Sequence, residues 1–278
     1  MSTLTADSDS NATIKAIYTE RSSTYDASSF HLRQAKEYIH HANLKPGDSV
    51  LDLACGTGLV TILARQHVGP AGRVIGIDIS SGMLDVARRK TSELGLDIEY
   101  LEHDITDLDA LSLGEFDVVT CASALLLLQE PLRAIEHWAA FLVPNGRLLI
   151  DVMIERNVIA PAILTKIGPL VGRSLGWNGA WVESEESLRQ LFTDAGLTVE
   201  EVYPSEVYET RDYQVEDGPK FFEKTVANPM FRVFGAPDVR EKAKELFVEE
   251  FKGRAGPDGV VREEVKFYMG IARKDSKQ

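Results

Sequence analysis

A chain of 278 residues, 44% hydrophobic and 26% charged, is long enough for one large α/β domain with elaborations and excludes a disordered or fibrous protein. A formal charge of -13, with no Lys/Arg run longer than Arg88-Arg89-Lys90, argues against nucleic acid or an anionic membrane as a partner. The only two cysteines, Cys55 and Cys121, lie in apolar strand-like settings, which excludes a disulfide framework or a cysteine-based zinc site and points to a reducing, cytoplasmic compartment.

Residues 1–12 are polar and are expected to form a disordered tail, and without a basic start and an apolar core they do not read as a secretory signal. From residue 49 to 153, β-branched apolar runs alternate with amphipathic stretches, the pattern of successive βαβ units around a parallel sheet. Strands are predicted at 49–54, 73–79, 97–104, 116–123 and 147–153. Val60, Leu63, Ala64 and His67 recur at helical spacing after the first strand, and Gly69-Pro-Ala-Gly72 stops that helix. Ser80 or Ser81 can cap the helix after the second strand. Leu132, Ile135, Ala139 and Leu142 mark another, closed by Pro144-Asn-Gly146. The apolar run around 118–128 is too short to span a bilayer.

The last third is less regular. A capped helix at 184–195 precedes a strand at 198–207, and 265–273 alternates as a final strand. Between those strands, 213–227 and 239–251 read as helical, an insertion rather than a turn. The expected organisation is thus 13–153 as N-terminal helices and a Rossmann-like nucleotide-binding half, and 154–278 as the remainder of the same sheet. Inserted segments are expected at about 154–182 and 209–258.

Chemistry concentrates at strand ends. The segment Val-Leu-Asp-Leu-Ala-Cys-Gly-Thr-Gly (50–58) leaves a strand and opens into a helix, and Gly56 and Gly58 let main chain approach a ligand at the carboxyl end of the sheet. Asp78, about 20 residues beyond Gly58, has the place of the acidic residue that accepts from both ribose hydroxyls. Asp104 ends the third strand and can accept from an adenine amino group, while Ile105 covers one ring face and Ile79 or Met83 the other. These three strand ends in register define a nucleoside site. Asp52 ahead of the glycines disfavours a pyrophosphate and favours the ammonium or sulfonium of an amino acid. The spacing is Asp-x-Ala-x-Gly-x-Gly, not Gly-x-Gly-x-x-Gly, so S-adenosylmethionine fits better than a dinucleotide.

Taken together, residues 50–61 resemble the first motif of the class I S-adenosylmethionine-dependent methyltransferases, 74–88 the second, and 102–106 their adenine-binding motif. Residues 116–123 and 141–150 are similar to the fourth and fifth strands with the turn between them. The nearest resemblance is to the UbiE-like branch of quinone biosynthesis and to small-molecule methyltransferases of fungal secondary metabolism. It implies a Rossmann-like sheet of seven mostly parallel strands, the last antiparallel, with helical lid insertions over a small-molecule acceptor. It further implies S-adenosylmethionine as cofactor, S-adenosylhomocysteine as product, and a cofactor site formed by Tyr25, Asp52, Ala54, Gly56, Thr57, Gly58, Asp78, Ile79, Met83, Asp104, Ile105 and Ala122. Tyr25-Asp26 resembles a pair that folds over the methionine end of the cofactor.

One departure matters for mechanism. Where many relatives carry a Leu-His-His sequence after the fourth strand, this chain reads Ala124-Leu-Leu-Leu-Leu-Gln129, so a histidine base is absent there. Methyl transfer from a sulfonium is an in-line displacement that alignment in a dry site can accelerate without a base, although a phenol or alcohol acceptor profits from one. Tyr18, Trp177, Trp181 and Tyr203 are expected as substrate-pocket walls, and no catalytic residue or metal site is assigned. Cofactor binding without methyl transfer, as in a regulatory subunit or an enzyme of cyclisation, stays open, as does a protein methyltransferase. A dehydrogenase fits least well.

Overall fold

The computed structural model describes residues 5–175, 182 and 184–276. Helix α1 (Thr5–Arg21) runs through a 3-10 turn, Ser22–Ala27, to α2 (Phe30–Ala42), which buries Gln34, Ala35, Tyr38, Ile39 and Ala42 on one side and ends at Asn43 in a left-handed conformation. The βα alternation follows: β1 (Ser49–Leu53), α3 (Leu59–Val68), β2 (Arg73–Asp78), α4 (Ser81–Glu93), β3 (Glu99–Glu102), β4 (Phe116–Cys121), α5 (Pro131–Ala140) and β5 (Leu142–Met153). Next come α6 (Ile159–Val171), α7 (Glu185–Asp194), β6 (Thr198–Pro204) and β7 (Glu209–Gln214). The chain ends with α8 (Gly218–Ala227), α9 (Arg240–Gly253), β8 (Val260–Val265) and β9 (Phe267–Arg273).

Contacts divide these elements into two units: Met1–Val152 with Ala180–Pro204 and Tyr268–Gln278, and Met153–Gly179 with Ser205–Phe267. The first unit holds a seven-stranded sheet in the order β3-β2-β1-β4-β5-β9-β6. Strands β1 to β5 pair in parallel, and β9 runs antiparallel to β6. The order reverses at β1, so the chain crosses to opposite sides after β1 and β4 and leaves a crevice at the carboxyl ends, where ligands of open α/β sheets bind. Val50, Leu51, Leu53, Ile75, Ile77, Val118 and Val119 are all buried, as a sheet covered on both faces requires.

The second unit has its own core. Ile163, Leu164 and Ile167 of α6 pack with Phe222, Phe234, Phe247 and Phe251 around Val261. The antiparallel pair of β7 and β8 brings in Glu263, only 2% exposed, whose carboxylate accepts from Ile159 N at the start of α6 (2.9 Å) and pairs with Arg211. That buried charge is therefore compensated from two sides.

Several sequence expectations need correction. The tail expected over 1–12 is helical from Thr5, and its continuation docks: Lys15 pairs with Glu102, and Thr19 and Ser80 hydroxyls lie 2.8 Å apart. Tertiary contacts supply what a polar segment lacks in hydrophobic burial. The third strand is shorter than 97–104, because Asp104 turns the chain by accepting from Thr106 N and Oγ1. The final strand is interrupted at Lys266, giving β8 to the two-stranded sheet with β7 and β9 to the seven-stranded one. Residues 213 and 214 end β7 instead of beginning a helix.

Candidate functional site

At the carboxyl end of β1 the backbone turns through three left-handed residues, Ala54 (φ 51°), Gly56 (φ 55°) and Gly58 (φ 80°), before α3 begins. Two of them differ in what they need glycine for. A Cβ on Gly56 would sit 3.9 Å from Tyr25, whereas one on Gly58 would fall 2.7 Å from Tyr100 Oη. Gly56 thus keeps its main chain open toward Tyr25, and Gly58 serves close packing behind the turn.

The end of β2 is tied to this turn by Asp78. Its Oδ2 accepts from Gly56 N and its Oδ1 from Ser80 N, both at 2.8 Å. Burial raises its carboxyl above the ordinary value despite both bonds. Ser80 itself caps α4 by accepting from Met83 N, which leaves Asp78 free of that task. Beyond β3, Asp104 accepts from Asn11 Nδ2 at 2.5 Å, and Trp138 Nε1 fixes the neighbouring Ile105 through its carbonyl at 2.8 Å.

These strand ends line one partly open cavity. Its wall includes Ala54, Gly56, Asp78, Ile79, Met83, Asp104, Ile105 and Ala122, as well as Tyr18 and Tyr25 from the N-terminal helices. The phenols of both tyrosines are pushed up by burial, so both are neutral hydrogen-bonding groups and not bases. The Arg21 guanidinium lies over both rings, 5.2 Å and 5.5 Å from their centroids, and Tyr25 stacks on His31 at 4.2 Å. Asp26 is a fastening: it accepts from Thr57 Oγ1 (2.6 Å) and Lys90 Nζ (3.0 Å), and Lys90 also donates to Thr57 O (2.8 Å). The segment carrying Tyr25 is thereby pinned to the glycine turn.

Four expected site residues are not on the wall. Asp52 is 1% exposed and is consumed internally, accepting from Thr61 Oγ1 of α3 (2.5 Å) and Thr120 Oγ1 of β4 (2.8 Å). It joins two strands and a helix and does not border the cavity. Thr57 is turned to Asp26, and Gly58 to Tyr100. Tyr203 of β6 donates to Glu37 Oε1 (3.0 Å) and packs on His41, which makes it part of the α2 contact. Trp177 and Trp181 lie outside the described residues.

The wall also holds residues the sequence reading missed: Asn11, Ile14, Ser123, Ala124, Leu127 and Leu128. Asn11 and Ile14 were hidden by the polarity of the N-terminal segment, although Asn11, Ile14 and Tyr18 fall at the i, i+3, i+7 spacing of one helical face. No histidine of the described residues borders the cavity. Nor do the described residues contain a metal-holding group of three His, Cys, Asp or Glu, or a helix long and apolar enough to cross a membrane.

Residues 50–146 match the family described as "Methyltransferase domain". A demethylmenaquinone methyltransferase of Symbiobacterium thermophilum is 35% identical over 124 residues, covering 41% of this chain and 46% of that protein. A ubiquinone/menaquinone biosynthesis C-methyltransferase, UbiE, of Bdellovibrio bacteriovorus is 31% identical over 145 residues, covering 49% and 61%. The matched stretch spans about half the length of these curated relatives. Among solved structures, magnesium protoporphyrin IX methyltransferase of Synechocystis PCC 6803 with bound SAH shares the fold at a TM-score of 0.53, with 18% identity over 88% of this chain and 84% of its own.

Proposed function

Residues 50–146 being a class I S-adenosylmethionine-dependent methyltransferase domain of UbiE-like type, we propose that the protein moves a methyl group from S-adenosylmethionine to a small, largely apolar acceptor. The observation that carries this reading is the convergence of Gly56, Asp78 and Asp104, from three adjacent strand ends, on one cavity.

The donor groups suit the cofactor. Asp78 uses two of roughly four carboxylate lone-pair sites on Gly56 N and Ser80 N, so the rest can accept both ribose hydroxyls. Asp104, with Asn11 beside it, is suited to the adenine edge, and Ile79, Met83 and Ile105 to the ring faces. Ala54, Gly56 and Ala122 leave main chain accessible toward the methionine portion, with Tyr25 above it. The cofactor supplies a sulfonium methyl. The chain's part is to align and dehydrate, which the apolar wall of Ala124, Leu127 and Leu128 favours.

The acceptor is read as quinone-like or as an intermediate of secondary metabolism, handled in the cytoplasm, where the buried unpaired thiols of Cys55 and Cys121 would remain reduced. A second reading, cofactor binding without transfer, is favoured by the absence of any histidine on the wall among the described residues.

Titration calorimetry tests the cofactor assignment. S-adenosylhomocysteine is expected to bind the wild type, and Asp78→Ala to weaken it about a hundredfold, the equivalent of two hydrogen bonds to a charged group. Binding of NAD in preference to S-adenosylhomocysteine would overturn the assignment.

A further inference from the structure

The stretch after β4 lays Ala122, Ala124, Leu127 and Leu128 along the cavity and brings one polar side chain among them, Ser123. Ser123 adopts a left-handed backbone, φ 56°, which costs a residue with a Cβ about 1 kcal/mol. A buried carboxylate holds it there. Because Cys121 pairs with Ile150, Asp151 lies beside the end of β4, and its Oδ1 accepts from Ser123 N at 2.7 Å. Its Oδ2 accepts from Gln34 Nε2 at 2.6 Å, and that same nitrogen donates to Ser123 Oγ at 2.8 Å. Gln34 and Asp151 are 3% and 1% exposed.

The direction of these bonds follows from chemistry. An ionised carboxylate only accepts, so Gln34 must turn its NH2 to Asp151, and that NH2 then faces Ser123 as a donor. The Ser123 hydroxyl has to accept from it. Its own hydrogen cannot point at Gln34, which leaves it for the cavity that Ser123 borders.

We propose that Ser123 is the hydrogen-bond donor that positions an oxygen of the methyl acceptor, and that Asp151 aims it through Gln34. This rests on the methyltransferase reading above and deepens it. The substrate class is an otherwise apolar molecule with an ionisable hydroxyl, methylated at that oxygen or at a carbon conjugated to it, because a hydroxyl donor in a dry wall favours an oxyanion. Asp151 and Gln34 are positioning residues with no atom on the wall.

The titratable groups facing Asp151 are Glu37 and Tyr38 of α2, Tyr25 and Cys121. Burial raises its carboxyl to about 7. The Tyr38 hydroxyl also bonds this carboxyl; where the Asp151 proton is instead directed at Gln34, the amide turns over, presents its carbonyl to Ser123 and draws the hydroxyl hydrogen away from the cavity. Asp151→Asn imposes the same reversal at every pH.

The test uses the full chain loaded with S-adenosylhomocysteine and 4-nitrophenol as the probe, since the ionised form is coloured. Wild type is expected to bind 4-nitrophenolate and to raise the acid dissociation constant of the bound phenol about tenfold, the size of one charge-assisted hydrogen bond. In Ser123→Ala the affinity falls about tenfold and the bound phenol ionises as it does in water. Asp151→Asn has the same spectroscopic effect although it removes nothing from the wall, and S-adenosylhomocysteine affinity in both variants stays within about threefold, which also certifies folding. Unchanged probe binding in Ser123→Ala, or no probe binding to the loaded wild type, overturns the proposal. Failure of the wild type to bind S-adenosylhomocysteine strikes the methyltransferase reading first and this inference with it.

Discussion

Replacing Asp52 by asparagine should make the protein progressively more stable than wild type as pH rises, without disturbing the cofactor site. Burial lifts the Asp52 carboxyl from 3.8 to about 6, against the hydrogen bonds from Thr61 and Thr120 that favour its ionised form. At about 1.4 kcal/mol per unit, keeping that carboxylate ionised costs the fold about 3 kcal/mol. The folded pKa lies above the unfolded one, so the stabilising contribution is fully present below about pH 4 and is lost as pH rises through about 6. The substituted amide has no charge to desolvate, and the two threonine hydroxyls can rotate so that one donates to its carbonyl while the other accepts from its NH2. The difference in stability, Asp52→Asn minus wild type, is therefore expected to rise by about 3 kcal/mol between about pH 4 and pH 8. Urea unfolding at a series of pH values measures it, and taking the difference cancels the similar slopes from Asp78 and Asp151, whose carboxyls burial also raises. A difference flat to within about 0.5 kcal/mol would refute the burial argument. S-adenosylhomocysteine affinity should stay within about threefold, and a loss beyond about thirtyfold would return Asp52 to the ligand-facing role its sequence position suggests.

Gly58→Ala should cost about 2–4 kcal/mol in urea unfolding, from a left-handed φ of 80° and a Cβ 2.7 Å from Tyr100 Oη, and a cost below about 1 kcal/mol would show that the turn relaxes. Lys90→Met removes the cation that holds both Thr57 O and Asp26, and should weaken S-adenosylhomocysteine about fivefold by loosening the segment that carries Tyr25; calorimetry with unchanged affinity would show the fastening to be idle. Tyr203→Phe should lower stability by about 1 kcal/mol through the lost bond to Glu37 and leave cofactor affinity unchanged, whereas an altered affinity would put Tyr203 back at the site.

Much of the sheet was legible because its signals are local. The apolar runs at β1, β2 and β4 are buried on both faces, and each ends at a turn residue or a cap that the sequence displays, as Gly56 and Ser80 do. Asp78 and Asp104 could be expected on one cavity because parallel strands bring their carboxyl ends into register. What escaped was decided by partners far along the chain. Asp52 looks ligand-facing until Thr120, 68 residues away, is seen to donate to it. Asn11 reaches Asp104 over a separation of 93, and Gln34 reaches Asp151 over 117. No periodicity carries such information. The two insertions were visible one at a time, but that they share a core of α6, α8 and α9 side chains depends on packing between segments that no sequence pattern links.

Methyl-labelled S-adenosylmethionine, incubated with the full chain and a panel of small hydroxylated acceptors such as a naphthoquinol and a nitrocatechol, decides whether the protein transfers methyl groups to a small molecule. Label should appear in the small-molecule fraction in step with S-adenosylhomocysteine and should be lost with Asp78→Ala. Cofactor that binds yet is never consumed across the panel, or label that ends in protein, would contradict it.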